Sequence, residues 1–330
     1  MTRVSSGERG VILIALLWIL VALSAIALSF SHETFVEVVA ARNARDLANA
    51  YYVARAGIVT TIYQLMQKRL VPYVQRMELQ ESPDPLDLGK VTGKLGDAIY
   101  DVEIQDESGK INVNLVSEEE LRALVAVIGI DKRDGDVIVD SILDWRDPDN
   151  AHHLNGAEDD YYQTLDPPYR AKNGRLDTVE ELLLVRGVAR DYYYGHAEKL
   201  SDGSTMFRYG LSRYFTVYSN SNRVNVNYAP IEVLMALPGM TPDIARKIHE
   251  RRLVKPFATV EEITRSASVT LGARTLPFLS TDETSIYTLT ASGRRENSKV
   301  RRVVRAVVNF DVQEPTRHRI IYWNENVPSL

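Results

Sequence analysis

The sequence predicts an α+β fold in which one very long N-terminal helix packs on an antiparallel sheet, with helical blocks between the pieces of that sheet. Three observations lead there. Val11 to Phe30 is a run of twenty residues without a charge. Apolar residues then continue at helical spacing well past that run, and segments that alternate apolar with polar residues flank blocks carrying helix punctuation. The chain has 330 residues, 39 Lys+Arg against 44 Asp+Glu, and a formal charge of −5. That length suits roughly two domains, and the negative balance argues against a polyanion-coating protein. A content of 45% hydrophobic and 25% charged residues excludes wholesale disorder. With no cysteine, a disulfide framework, a thiolate zinc site, an iron–sulfur cluster and a cysteine nucleophile are all excluded.

The apolar run is long enough to cross a bilayer core of roughly 30 Å as a helix. Ahead of it, the polar leader Met1 to Gly10 carries Arg3 and Arg9, which by the positive-inside rule places the N-terminus in the cytoplasm and everything after Phe30 outside. A cleaved signal peptide is the competing reading, with Ala25, Ala27 and Ser29 as a small-residue cutting site. The periodicity argues against it: Phe35, Val38, Leu47, Tyr51, Ala54, Ile58, Ile62 and Leu65 recur at helical intervals, with no Pro or Gly before Gly57. One helix is expected from about Val11 to Leu70, on the order of 90 Å long.

Val71 to Gly96, rich in Pro, Gly and Asp, reads as a loop. Ile99 to Gln105 and Lys110 to Asn114 alternate across Asp106–Gly109 and spell a hairpin, as do Phe215 to Tyr218 and Arg223 to Asn227 across Ser219–Asn222. A third hairpin pairs Ile286 to Ser292 with Val300 to Phe310, and Ile320 to Trp323 adds a final strand.

The chain also contains a partial duplication. Ile111–Asn114 followed by Glu119, Leu121, Ala123 and Leu124 matches Val224–Asn227 followed by Glu232, Leu234, Ala236 and Leu237, 113 residues on. Thr178–Glu181 matches Thr259–Glu262 at an offset of 81, so the first copy holds 32 extra residues. Each copy reads as strand, helix, Gly-containing turn, helix, then a capped helix start at Thr178 or Thr259. Leu237 to Ile248 resembles a helix-hairpin-helix, a motif that binds DNA through turn N–H groups. Arg246, Lys247, Arg251, Arg252 and Lys255 form a basic cluster beside it. Against DNA stand Thr241, where the second turn glycine belongs, and Asp131 in the first copy, a carboxylate that repels phosphate. The bland reading is a packing unit, with Leu234, Leu237, Ile244, Ile248 and Ile263 as its contacts.

The extra residues carry the densest chemistry. Asp144, Asp147 and Asp149, followed by Glu158 and Asp159 around Gly156, could place enough hard oxygens about one Ca²⁺, which tolerates irregular geometry. A solubilising acidic loop is the alternative, and the spacing is not that of an EF-hand. His152-His153 reads as surface. The tyrosine clusters Tyr51-Tyr52, Tyr161-Tyr162 and Tyr192–Tyr194 read as packing or interface. There is no G-x-S-x-G, H-E-x-x-H or Walker-type loop, so no enzyme, nucleotide site or small-molecule substrate is expected.

A basic leader ending in Gly10, followed by an apolar helix that runs on as an amphipathic one, resembles the class III signal of type IV pilins and type II secretion pseudopilins. The resemblance implies cleavage by the membrane prepilin peptidase between Gly10 and Val11, then N-methylation. Val11 departs from the aromatic or Met common at that mature terminus. Ala15 stands where most members carry the assembly glutamate, a departure that suits a fibre tip. The blocks DWRDPDN (144–150), GAEDDYY (156–162), LDPPYR (165–170), INVN (111–114) and VNVNYAPIEVLMALPG (224–239) are similar to the minor pseudopilin K family of type II secretion systems. That implies a pilin-like α+β scaffold interrupted by an all-α domain with helix-hairpin-helix-like, SAM-like units. The expected boundaries are a leader at 1–10, a membrane-crossing part at 11–31, pilin-like parts at 32–116 and 207–330, and an inserted domain at 117–206, with the second unit at 228–268. It further implies Ca²⁺ at Asp144, Asp147, Asp149, Glu158 and Asp159, and assembly with I- and J-type minor pseudopilins and the major pseudopilin. The subunit would cap the pseudopilus tip from the bacterial inner membrane, its soluble domains in the periplasm. A membrane-anchored DNA receptor is the alternative function.

Overall fold

The computed structural model describes residues 6–68, 89–199, 205–282, 285–310 and 317–327. Helix α1 is one uninterrupted element, Ser6–Lys68, of 63 residues and about 95 Å. Phe35, Val38 and Leu47 of the predicted stripe are exposed, as is the apolar run ahead of them from Leu13 to Phe30. Burial begins at Ala50 and continues through Val53, Ala54, Ile58, Ile62 and Leu65, the single face that a helix lays on a sheet. The stripe is therefore correct from Ala54 onwards, whereas residues 13–45 are exposed.

Strands β1 (Lys90–Leu95) and β2 (Ala98–Asp106) form an antiparallel hairpin around Gly96. This corrects the loop reading of Val71 to Gly96. Residues 71–88 lie outside the described residues, but 90–95 form an edge strand. It buries only Val91, so polar Lys90, Thr92 and Lys94 hid its alternation.

The segment from 107 to 285 holds β3 (Ile111–Asn112), α2 (Glu118–Val127), α3 (Lys132–Arg146), α4 (Asp159–Tyr162), α5 (Arg190–Tyr194) and β4 (His196–Lys199). After these come β5 (Thr205–Arg208), β6 (Phe215–Thr216), β7 (Val224–Asn225), α6 (Ile231–Ala236), α7 (Pro242–Val254), α8 (Val260–Ser266) and β8 (Leu279–Ser280). Two of the expected hairpins are corrected here. β3 pairs in parallel with β6, and β7 in parallel with β8. The cause is local. Asn112 Oδ1 accepts from Asn114 N at 2.8 Å, and Asn225 Oδ1 from Asn227 N at 3.0 Å, so each strand turns away after two residues.

The duplication extends to the hydrogen bonds. Asn114 brackets Leu176 through its N–H and carbonyl (2.7 and 3.0 Å), and Asn227 brackets Phe257 likewise (2.9 and 2.9 Å). Arg146 donates to the carbonyls of Val113 and Val116, Arg252 to those of Val226 and Ala229. Glu181 accepts from the N–H of Thr178, and Thr259 Oγ1 accepts from the N–H of Glu262. Each unit thus closes its second helix and its capped turn onto its own first strand. An Asn227→Ala variant orphans a donor and an acceptor, each costing about 1–3 kcal/mol when buried. Thermal melts should therefore drop by several degrees, and Asn114→Ala should match it if the two units are equivalent.

Strands β9 (Ile286–Arg295), β10 (Arg301–Asn309) and β11 (Arg319–Val327) complete an antiparallel sheet of order β1-β2-β9-β10-β11. The third predicted hairpin and the final strand are present. β2 and β9 are sheet neighbours, for example Val102↔Ala291, although the whole segment from 107 to 285 separates them in sequence. The helical body is thus an insertion between adjacent strands.

Two buried clusters result. One joins α1 to the sheet through Val53, Ile58, Ile62, Val102, Leu289, Val304 and their neighbours. The other runs from Ile111 to Leu279 and contains both units. Buried side chains of 228–268, expected with the second pilin-like part, therefore share a core with those of 117–206. At the seam, Lys110 Nζ meets Glu107 Oε1 at 2.5 Å, both nearly inaccessible, and Thr288 of β9 donates to the same oxygen at 2.6 Å. A buried pair satisfied from both bodies fixes their docking more than it adds stability.

Candidate functional site

Helix α3 builds the site. Asp136, Asp140 and Asp144 recur every four residues and stand in register on one face, and Asp147 caps the C-terminus. Arg122 of α2 neutralises Asp140 at 2.5 Å and Asp136 at 2.7 Å. The loop after α3 folds back on that face: Asn155 donates to Asp140 Oδ2 from both its backbone N and Nδ2 at 2.9 Å, and His153 N donates to Asp144 Oδ1 at 3.0 Å. Gly156 is required at the fold-back, because a Cβ there would lie 1.8 Å from Asp144 Oδ2.

Four of the five predicted ligands come together. One donor atom each from Asp147, Asp149 and Glu158 lies within 4.8 Å of the others, and Asp144 adjoins Asp147 in the same way. Asp159 is set apart: its Oδ1 accepts from Ala171 N at 2.8 Å and its Oδ2 lies 4.0 Å from Arg170. His153 joins instead, with its ring Nδ1 against Asp144 Oδ1. The sequence reading placed His153 on the surface. Its place between Asp149 and Glu158, inside the acidic loop, was the available signal. Asp140 was also missed, although its spacing four residues ahead of Asp144 marks the same helical face.

The electrostatics are unfavourable as the groups stand. Asp144 and Glu158 are 0% and 1% exposed. Asp144 Oδ2, Asp147 Oδ1 and both oxygens of Glu158 are buried without a hydrogen-bond partner. Burial, then the charges of Asp144 and Asp147, push Glu158 up to about 7. Burial also raises Asp147, with the charges of Asp149 and Asp144 adding to it against a backbone hydrogen bond at Asp149 that lowers it, while the hydrogen bond to Asp144 raises His153. Orphaned buried carboxylates converging on one volume fit a hard divalent cation, which would satisfy the oxygens that the protein leaves bare.

Gly10 and Val11, where processing is expected, lie within α1, and Ala15 is exposed on its apolar part. The unburied apolar stretch of α1 is long enough to cross a membrane. The turns that would hold DNA are already capped. Asp131 Oδ1 accepts from Arg133 N and Asp134 N, and Thr241 Oγ1 from Ile244 N. Of the basic cluster, Arg252 is committed to backbone carbonyls and Lys247 pairs with Asp243 at 3.0 Å.

Comparison with known proteins separates the readings. A family model described as type II secretion system protein K matches residues 100–195, which cover β2, the first unit and the acidic loop. Over that stretch the chain resembles protein K of type II secretion systems. Type II secretion system protein K of Pseudomonas aeruginosa is 26% identical over 291 residues, 82% of this chain and 79% of that protein. That of Pectobacterium carotovorum is 33% identical over 115 residues, 33% of this chain and only 35% of the relative's length. A crystal structure of a GspK-GspI-GspJ complex from enterotoxigenic Escherichia coli superposes with a TM-score of 0.54. It covers 73% of this chain and 84% of that one at 15% identity, a likeness of fold. A helix-hairpin-helix family model matches residues 219–271, the unit that in this protein K relative forms part of the core.

Proposed function

We propose that this protein is a minor pseudopilin that caps the tip of a type II secretion pseudopilus and helps initiate its assembly. The observation that carries the reading is the insertion of a large helical body between adjacent strands of a sheet carried by one continuous helix. A body of that size above the sheet obstructs a further subunit from stacking there. Similarity to protein K of type II secretion systems and the fold shared with the GspK-GspI-GspJ complex support the role.

In this reading α1 anchors the subunit in the inner membrane by its first half, with the soluble bodies in the periplasm. The prepilin peptidase cuts between Gly10 and Val11 and the new terminus is methylated. Assembly exchanges lipid around α1 for the helices of I- and J-type minor pseudopilins and of the major pseudopilin below. A charge in hydrocarbon needs a partner, so the glutamate of ordinary subunits pairs with a neighbour's terminal amine. A subunit with no neighbour above it dispenses with that carboxylate, as Ala15 does. Ca²⁺ is held by Asp144, Asp147, Asp149 and Glu158 and fastens the acidic loop to α3.

The test is affinity purification of the full chain from detergent-solubilised membranes of a secreting cell, followed by mass spectrometry. Two small pilin-like proteins should co-purify at near-equal amounts. Recovery of the chain alone after cross-linking would remove the tip-complex reading.

A further inference from the structure

The sheet face turned away from α1 carries a groove of about 460 Å³, lined from the sheet below and by Tyr194, Ser212 and Arg213 of the helical body. Its floor follows from strand alternation. Asp101, Glu103 and Gln105 alternate along β2 with Val102 and Ile104, which pack under α1. Cross-strand pairing then sets Lys90, Glu103, Thr290 and Arg305 in one row across β1, β2, β9 and β10, with Asp101 beside Ser292 in the next row.

We propose that this groove binds a short extended peptide segment carrying a carboxylate, which is seated on Arg305. A guanidinium has only donors, and among the described residues that of Arg305 makes no hydrogen bond. Its ion-pair partner Glu180 stands 3.6 Å away, and its Nε is buried and bare. The side chain is 20% exposed and lines the groove, so a carboxylate arriving there meets a cation already half stripped of water. The hydroxyls of Ser212, Thr290 and Ser292 line the same space and make no hydrogen bond among the described residues, which leaves them for the N–H and C=O groups of a main chain. Lys90 lies three strand spacings from Arg305, roughly 14 Å, a span that about four extended residues cover. The remaining charges select a peptide over other anions. Asp101, which accepts from Thr92 at 2.9 Å, and Glu103, which accepts from Gln105 at 2.9 Å and lies 3.5 Å from Arg213, put two carboxylates on the floor between the cations. A polyphosphate chain would be repelled there, and a lipid acyl chain would find no apolar floor. A peptide can offer an N–H or a cationic side chain to these acids and its carboxylate to Arg305. Because sheet and helical body both line the groove, such a segment would touch both.

The experiment uses the full chain in detergent micelles with three pools of fluorescein-labelled, C-terminally amidated pentapeptides, random in their flanks and carrying a central Glu, Gln or Lys. Anisotropy should show saturable binding of the Glu pool, about fivefold or more tighter than the Gln pool, with the Lys pool weakest. Arg305→Gln should remove the preference for Glu over Gln, and Lys90→Gln should weaken the Glu pool about threefold. Arg301→Gln, exposed and outside the groove lining, should change neither. Lys90→Gln sits on an exposed edge strand, so it keeps the test readable if Arg305→Gln does not fold. Absence of saturable binding, or a Glu preference that survives in Lys90→Gln and in any folded Arg305→Gln, overturns the proposal. Displacement of the Glu pool by inorganic phosphate at equal concentration would reveal a small-anion site only and overturn the peptide assignment.

Discussion

Replacing Glu158 by Gln is expected to have opposite effects with and without calcium: loss of the calcium-dependent rise in melting temperature, and a calcium-free protein more stable than the parent. Both follow from a carboxylate that is 1% exposed with both oxygens bare. With Ca²⁺ bound, that charge is neutralised and contributes to affinity. At a hundredfold excess over Kd the ion adds about 3 kcal/mol, which the variant should largely forfeit. Without calcium the charge is a liability. Its value rises from 4.5 to about 7 on folding, so between those pH values the folded chain holds a proton that the unfolded chain has released. Stability therefore falls as pH climbs through that window, by up to about 3 kcal/mol for this one group. The raised values of Asp147 and His153 act with the same sign. Melts from pH 5 to 8 in chelator should slope downward for the parent and less steeply for Glu158→Gln. With saturating calcium the parent should lose most of that slope.

Gly293→Ala is expected to produce the largest purely structural effect, a cost of about 3 kcal/mol or more. β9 crosses under α1 at Gly293, where a Cβ would lie 2.2 Å from Ala50 O and 2.5 Å from Ala54 N. Both contacts are backbone, so no rotamer change relieves them and the helix must lift off the sheet. Gly272→Ala, with open space around the added methyl, is the matched control and should leave the melt unchanged. Because the helical body has its own core, the calcium response should survive Gly293→Ala while the sheet body unfolds earlier.

What the sequence disclosed depended on how local each signal was. The twenty-residue apolar run and the stripe from Ala54 to Leu65 are periodic over many residues, and the helix they foretold is present. The Ile286–Phe310 hairpin was equally legible, because both strands and their turn are contiguous. Parallel pairing of β3 with β6 and of β7 with β8 was not legible, since the partners lie far apart and the same Asn residues that complete the alternating pattern end each strand. β1 escaped notice because an edge strand buries too little to alternate. The acidic loop was recognised by composition, yet composition could not separate Asp159, turned toward Ala171, from Glu158, one residue earlier and buried. His153 was undervalued for the converse reason: its role depends on a fold-back enforced by Asp140, Asn155 and Gly156, which no spacing rule encodes.

The central claim, that α1 is a permanent membrane-rooted helix by which a tip subunit joins its neighbours, meets its most direct test in the intact mass of the protein recovered from membranes. The account predicts a polypeptide that begins at Val11 with one added methyl group and retains every residue of the apolar run. A mature chain that begins after Phe30 and partitions wholly into the aqueous phase would contradict it.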